Sequence, residues 1–175
     1  MNIVSAPNPV LFKKAAPVQA VDKHVEKLIE DMKKTLGEAD NPKGIGLAAP
    51  QVGESLQIFI VRLEPTDPFL VFINPEITWT SKQMESDKDL MEGCLSVPQI
   101  WGPTKRHIQV KLKYQTQDEV WHEEKFEGLM AVVIQHETDH LNGILFTRRI
   151  IEQNGKLYRI EEEKGKQIFK EIELQ

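Results

Sequence analysis

At 175 residues, 40% hydrophobic and 28% charged, the chain lies in the ordinary range of a folded domain, which excludes disorder, collagen-like repeats and low-complexity scaffolds as whole-chain descriptions. Lys and Arg number 22 against 27 Asp and Glu, a formal net charge of −5, so no overall positive field exists to draw in a nucleic-acid backbone. The single cysteine, Cys94, cannot close an intrachain disulfide and fits a reducing compartment.

Residues 1–20 carry Pro7, Pro9 and Pro17 and read as an extended arm lying over the body. Val21, Val25, Leu28, Ile29, Met32 and Leu36 recur at helical spacing, predicting an amphipathic N-terminal helix closed by Gly37. Residues 44–53 are a run of small residues and read as a tight loop that lets something approach its backbone. Strands are expected over 56–61, over 69–73 ended by Asn74-Pro75, and as a pair over 108–114 and 121–126. A second helix over 128–142 places Leu129, Val132, Val133, His136 and His140 on one apolar face, with Gly143 as its stop. Residues 157–161 and 167–174 flank a charged, Gly-containing turn over 162–166 and read as a hairpin.

The expected fold class is α+β: antiparallel or mixed β-sheets around the second helix, with the N-terminal helix added, in one domain over 1–175. Met1 to Pro7 shows no basic stretch followed by an apolar core, and no run approaches the roughly 20 apolar residues of a membrane span. The expected address is the cytoplasm, although an organellar copy with its leader removed reads the same. Neither a membrane nor sequence-specific nucleic acid is expected as a partner.

The sharpest motif is His136-Glu137-Thr138-Asp139-His140 within the second predicted helix. Four residues advance a helix by about 400° and roughly 6 Å, so the two imidazoles project from nearly the same side and can converge on one ion. Glu137 is turned about 100° from His136, beside the ion rather than on it, as a general base acting on water requires. A catalytic site of this kind needs a third protein ligand. Glu152 lies past the helix stop in a charged stretch without a supporting pattern. Cys94, flanked by Gly93 and Leu95 in Met91-Glu92-Gly93-Cys94-Leu95-Ser96, is the better candidate, although a lone buried Cys is more often a small hydrophobe.

Three segments in order, Gly44 to Gln51, Glu92 to Ser96 and Gln135 to His140, resemble the motifs of the peptide deformylases. The resemblance runs from Pro9 to about Phe146, includes Asn74-Pro75-Glu76, and weakens over the last thirty or so residues. It implies an α+β metal-dependent hydrolase that removes the formyl group from N-formylmethionyl peptides of nascent proteins. Cys94, His136 and His140 would hold one divalent ion, natively Fe²⁺, which Zn²⁺, Ni²⁺ or Co²⁺ can replace. Glu137 would move the proton, and the Gln51 side chain and Leu95 backbone N–H would stabilise the oxyanion. The peptide would lie along Ile45-Gly46, near Glu92 and Gly93, with its methionine among Ile45, Leu129, Val132 and Val133.

Glu92 and Asp139 are also candidates to orient the histidine helix, with Arg106 pairing to one of them. Two positions depart from the family pattern: Trp101 stands where a basic residue is common, and Thr138 where an apolar one is, on what is read as an outer helix face. The ribosome is a further implied partner, yet the tail reads as a strand and not as the long basic helix that some members present to it. The competing readings are a metallopeptidase of the H-E-x-x-H type, which does not need Cys94, and a non-catalytic metal- or peptide-binding relative, against which Glu137 and Gln51 speak.

Overall fold

In the computed structural model, which describes residues 1–39, 44–85, 91–163 and 166–173, the proline-rich arm is extended except for a 3-10 turn at Pro9–Phe12. Helix α1, Lys23–Gly37, starts where the Asp22 carboxylate accepts from the His24 and Val25 amides, which satisfies two amides that the first turn leaves free. Its buried apolar residues, Val25, Leu28, Ile29, Met32 and Leu36, follow the predicted stripe.

The chain continues through β1 (Gly46–Ala48), a 3-10 turn (Ala49–Val52), β2 (Ile58–Val61), β3 (Leu70–Thr80), β4 (Met84–Glu85), β5 (Met91–Cys94), β6 (Val97–Pro103), β7 (Arg106–His107), β8 (Gln109–Gln115) and β9 (Trp121–Glu127). Helices α2 (Gly128–Leu141) and α3 (Phe146–Glu152) follow, and then strands β10 (Tyr158–Glu163) and β11 (Lys166–Glu171). The strands form a five-stranded sheet in the order β1-β2-β3-β8-β9, a four-stranded sheet β11-β10-β6-β5, and the pair β4-β7. Every pairing between these strands is antiparallel, and the class is α+β.

β2 shows how the helices are placed. Its four residues are all buried, and they alternate between two clusters: Ile58 and Ile60 pack with Leu28, Ile29 and Met32 of α1, Phe59 and Val61 with Ala131 and Ile134 of α2. Successive side chains of a strand point to opposite faces, so α1 and α2 cover opposite sides of the sheet. A third cluster joins Cys94 to Phe146 and Ile150 of α3 and to Leu157.

Several expectations are corrected. The predicted loop over 44–53 contains β1, paired Gly46 to Val61, Leu47 to Ile60 and Ala48 to Phe59, followed by the 3-10 turn. The strand expected to end at Asn74-Pro75 runs on to Thr80. A register shift between Ile73 and Glu76 accommodates the proline, which has no N–H to donate, and Asn74 takes φ +50 while its side chain exchanges two hydrogen bonds with the Val18 backbone. The face of α2 read as apolar is core only in part: Val133 is buried in the same cluster as Ala131, Ile134 and Leu141, and His140 is buried too. Leu129 is 46% exposed and Val132 half-buried, whereas Ala131, Ile134 and Leu141 face the sheet. A helix enclosed on most of its circumference loses the contrast on which amphipathic reading depends.

Thr138 is half-buried, with its hydroxyl oxygen enclosed, and is not on an outer face. The β5–β6 hairpin and α3 were not anticipated. The C-terminal hairpin forms as β10 and β11, but Lys164 and Gly165 of its predicted turn, and Leu174 at its predicted end, lie outside the described residues.

Candidate metal centre

His136 and His140 stand one turn apart on α2, and Cys94 ends β5 at the turn into β6. One donor atom from each lies within 4.8 Å of the others, the only such group among the described residues. His140 Nε2 is 3.2 Å from Cys94 Sγ. His136 Nδ1 is 3.0 Å from Glu92 Oε2, which leaves its Nε2 for the cluster. The sulfur also receives the Ser96 N–H at 3.4 Å and Gln51 Nε2 at 3.5 Å.

A layer of charge fixes this geometry. Arg106, 6% exposed, donates from Nε and Nη2 to the two oxygens of Glu92 at 2.8 and 3.0 Å and from Nη1 to Asp139 at 2.6 Å. Arg106 therefore pairs with both candidate acids, and Arg149 of α3 holds Asp139 from the other side at 2.6 and 3.1 Å. Burial alone would raise Glu92, but hydrogen bonds from His136 and Arg106 outweigh it and hold the carboxyl at about 2. Both oxygens of Glu92 are thus taken, which suits it to orienting His136 more than to meeting substrate.

Burial pulls His136 down, yet its bonds to Cys94 and Glu92 raise it well above its ordinary value, while burial and the charge of His136 push His140 well below. Enclosed sulfur and two imidazoles, one backed by a carboxylate, fit a divalent ion of the zinc or ferrous type and leave a fourth position open.

The group opens into a cleft of about 170 Å³. Ile45, Gly46, Gln51, Glu92, Gly93, Leu95, Leu129, Val132, Val133 and Glu137 all line it beside Cys94 and His136, whereas His140 lies behind them, 1% exposed. Glu137 is buried against Gly46, and a β-carbon there would come within 2.8 Å of its carboxyl carbon. Burial raises Glu137 to about 7, and its Oε2 has no hydrogen-bond partner among the described residues. Gln51 is oriented within its own turn by the Ala48 N–H, which donates to Oε1 at 2.8 Å and so turns Nε2 towards the sulfur.

Sequence reasoning missed Met91, and it noted Trp101 only as a departure at a position near the peptide backbone, without its packing on Gly93. Trp101 pairs with Gly93 across β5–β6, and a β-carbon on Gly93 would lie 2.8 Å from its ring. The available signal was a glycine directly before the candidate ligand, which marks a close approach by a bulky group.

The family model for polypeptide deformylase matches residues 1–156. Among curated relatives, the peptide deformylase of Syntrophobacter fumaroxidans is 42% identical over 153 residues, 86% of either chain, and that of Novosphingobium aromaticivorans is 36% identical over 91% of this chain and 94% of its own. Among solved structures, the peptide deformylase from Thermotoga maritima superposes with a TM-score of 0.77 at 40% identity, covering 85% of this chain and 95% of that one. The Synechococcus elongatus enzyme, solved in complex with actinonin, gives 0.79 at 36% identity, covering 85% and 79%.

Proposed function

The chain belongs to the polypeptide deformylase family and removes the formyl group from N-formylmethionyl peptides of nascent proteins, and we propose that Cys94, His136 and His140 hold the divalent ion that this hydrolysis needs. The observation that carries the assignment is the convergence of those three donors within 4.8 Å beside the unpartnered carboxylate oxygen of Glu137. A divalent ion held by these residues would supply acidification of water and polarisation of the formyl carbonyl. Glu137 takes the proton of the attacking water and passes it to the departing amine, so that formate and a free N-terminus result. Gln51 Nε2 and the Leu95 N–H donate to the oxyanion as the carbonyl carbon becomes tetrahedral.

β1 and β5 are edge strands of their sheets, and both line the cleft. This supports a peptide bound along Ile45-Gly46 as an added strand, a mode indifferent to downstream sequence. Ile45, Leu129, Val132 and Val133 supply the apolar wall for the methionine side chain, with the Gly93 backbone opposite. Fe²⁺ is the native ion in this reading, with Zn²⁺, Ni²⁺ or Co²⁺ as substitutes, because the donor set alone accepts each of them.

The cytoplasm is the inferred location, beside the ribosome from which such chains emerge. No described helix is long and apolar enough to cross a membrane. The test is formate release from a formyl-Met peptide by anaerobically purified protein, with bound metal counted on the same sample. Formate at near-stoichiometric metal, lost with the metal in Cys94→Ser, supports the assignment. Full metal retention in Cys94→Ser excludes the sulfur as a ligand.

A further inference from the structure

The candidate site is assembled from three separate pieces of chain: the 3-10 turn with Gln51, the β5–β6 turn with Cys94 and Leu95, and the end of α2 with His140. The N-terminal arm touches all three. Val4 N–H donates to the Gln51 carbonyl at 2.8 Å, Ala6 N–H to the Ser96 carbonyl at 2.9 Å, and Ala15 N–H to the Leu141 carbonyl at 2.8 Å. The acceptors are Gln51 itself, the residue after Leu95 and the residue after His140. The arm also crosses Gly143 so closely that a β-carbon there would lie 2.6 Å from the Phe12 carbonyl carbon.

We propose that residues 4–15 are a strap whose backbone sets the spacing between the oxyanion donors and the metal donors, with Val4 the positioning residue for Gln51 and Ala6 for Leu95. The inference rests on the oxyanion roles given above to Gln51 and Leu95. The Gln51 amide is already fixed within its own turn by the Ala48 N–H. What remains free is movement of that whole turn relative to the β5–β6 turn. The direct link across this gap, from Gln51 Nε2 to Cys94 Sγ at 3.5 Å, goes to sulfur, a weak acceptor, whereas the two strap bonds are amide–carbonyl bonds to the main chain of each turn. The strap is anchored independently of those bonds, since Leu11 is fully buried. Preorganised donors act only when aimed at the oxyanion position, and a shift of roughly 1 Å can cost on the order of 10²-fold in rate.

The experiment compares Val4→Pro, Ile3→Ala and Gln51→Ala in the metal-loaded full chain. Val4→Pro removes the N–H given to Gln51; Ile3→Ala removes packing and keeps the strap bonds. Expected for Val4→Pro are a kcat lower by about tenfold or more, a KM within about twofold, unchanged metal per chain, and faster amide exchange in 49–52. Ile3→Ala should lower the unfolding midpoint and leave kcat unchanged well below it. If the proline variant does not fold, 2-hydroxyisovaleric acid at position 4 replaces the N–H by oxygen without a ring. Parental kcat in a folded position-4 variant, with Gln51→Ala impaired, overturns the strap and leaves Gln51 its role. Parental kcat in Gln51→Ala overturns the oxyanion reading itself. Equal losses of kcat and metal in Ile3→Ala and the position-4 variant reduce the arm to packing and overturn the proposal.

Discussion

Glu137 rests on the bare backbone of Gly46, which belongs to the edge strand β1, and a β-carbon at that glycine would intrude on the carboxylate itself. The strand and the acid share one small space. Gly46→Ala must displace either the Glu137 side chain or the edge along which a peptide would lie. We expect kcat to fall at least about tenfold while metal per chain stays at the parental level, because none of the proposed metal donors is touched. Steady-state kinetics with metal analysis on the same sample checks this.

Arg106 is the counter-ion of two buried acids, Glu92 and Asp139, and among the described residues only Asp139 has a second arginine, Arg149. Arg106→Met leaves Glu92 buried with a histidine alone. Removing one partner of such a group is expected to destabilise the fold by about 3–5 kcal/mol, measured by denaturant unfolding. Loss of the carboxylate's orientation should also weaken metal retention by roughly 10- to 100-fold, measured by chelator competition. Arg149→Met, at a half-exposed position, should cost much less in both respects.

The parts of the molecule with a period were legible in the sequence, and the parts held by single contacts were not. α1 announced itself through its spacing and the stop at Gly37, and the donor pair of α2 through the interval between His136 and His140. β1 was hidden because Gly46, Leu47 and Ala48 lack the branched residues by which strands are recognised, although β2 pairs with every one of them. The β5–β6 hairpin carries Gly93, Pro98, Gly102 and Pro103, so no alternation survives in the segment that presents Cys94. α3 is a short helix without a side-chain cap, and its contribution to the site, Arg149 on Asp139, is a tertiary contact that leaves no trace in local pattern.

Tyr114 supplies a pH test remote from the metal donors. Burial and the hydrogen bond to Glu124 raise its hydroxyl to about 12, against an ordinary value of 10.0. The folded chain therefore holds this proton more tightly than the unfolded one. The associated stability is fully present below about pH 10 and is lost as pH rises towards about 12. Unfolding free energy measured between about pH 9 and pH 11.5 should fall more steeply for the parent than for Tyr114→Phe. Parallel profiles would remove Tyr114 as the source.

Gly93 and Trp101 face each other across β5–β6, with the indole ring lying where a β-carbon on residue 93 would stand. The ring forms part of the cleft wall one residue before Cys94. Gly93→Ala pushes the ring outward or the strand inward, and either movement disturbs the peptide path, so KM should rise severalfold. Trp101→Ala removes the obstacle and opens the wall. In the double variant the new methyl meets no ring, so the effects should not add, with a coupling of about 1 kcal/mol or more in kcat/KM. Strict additivity would mean that the ring yields freely and does not set the width of the cleft.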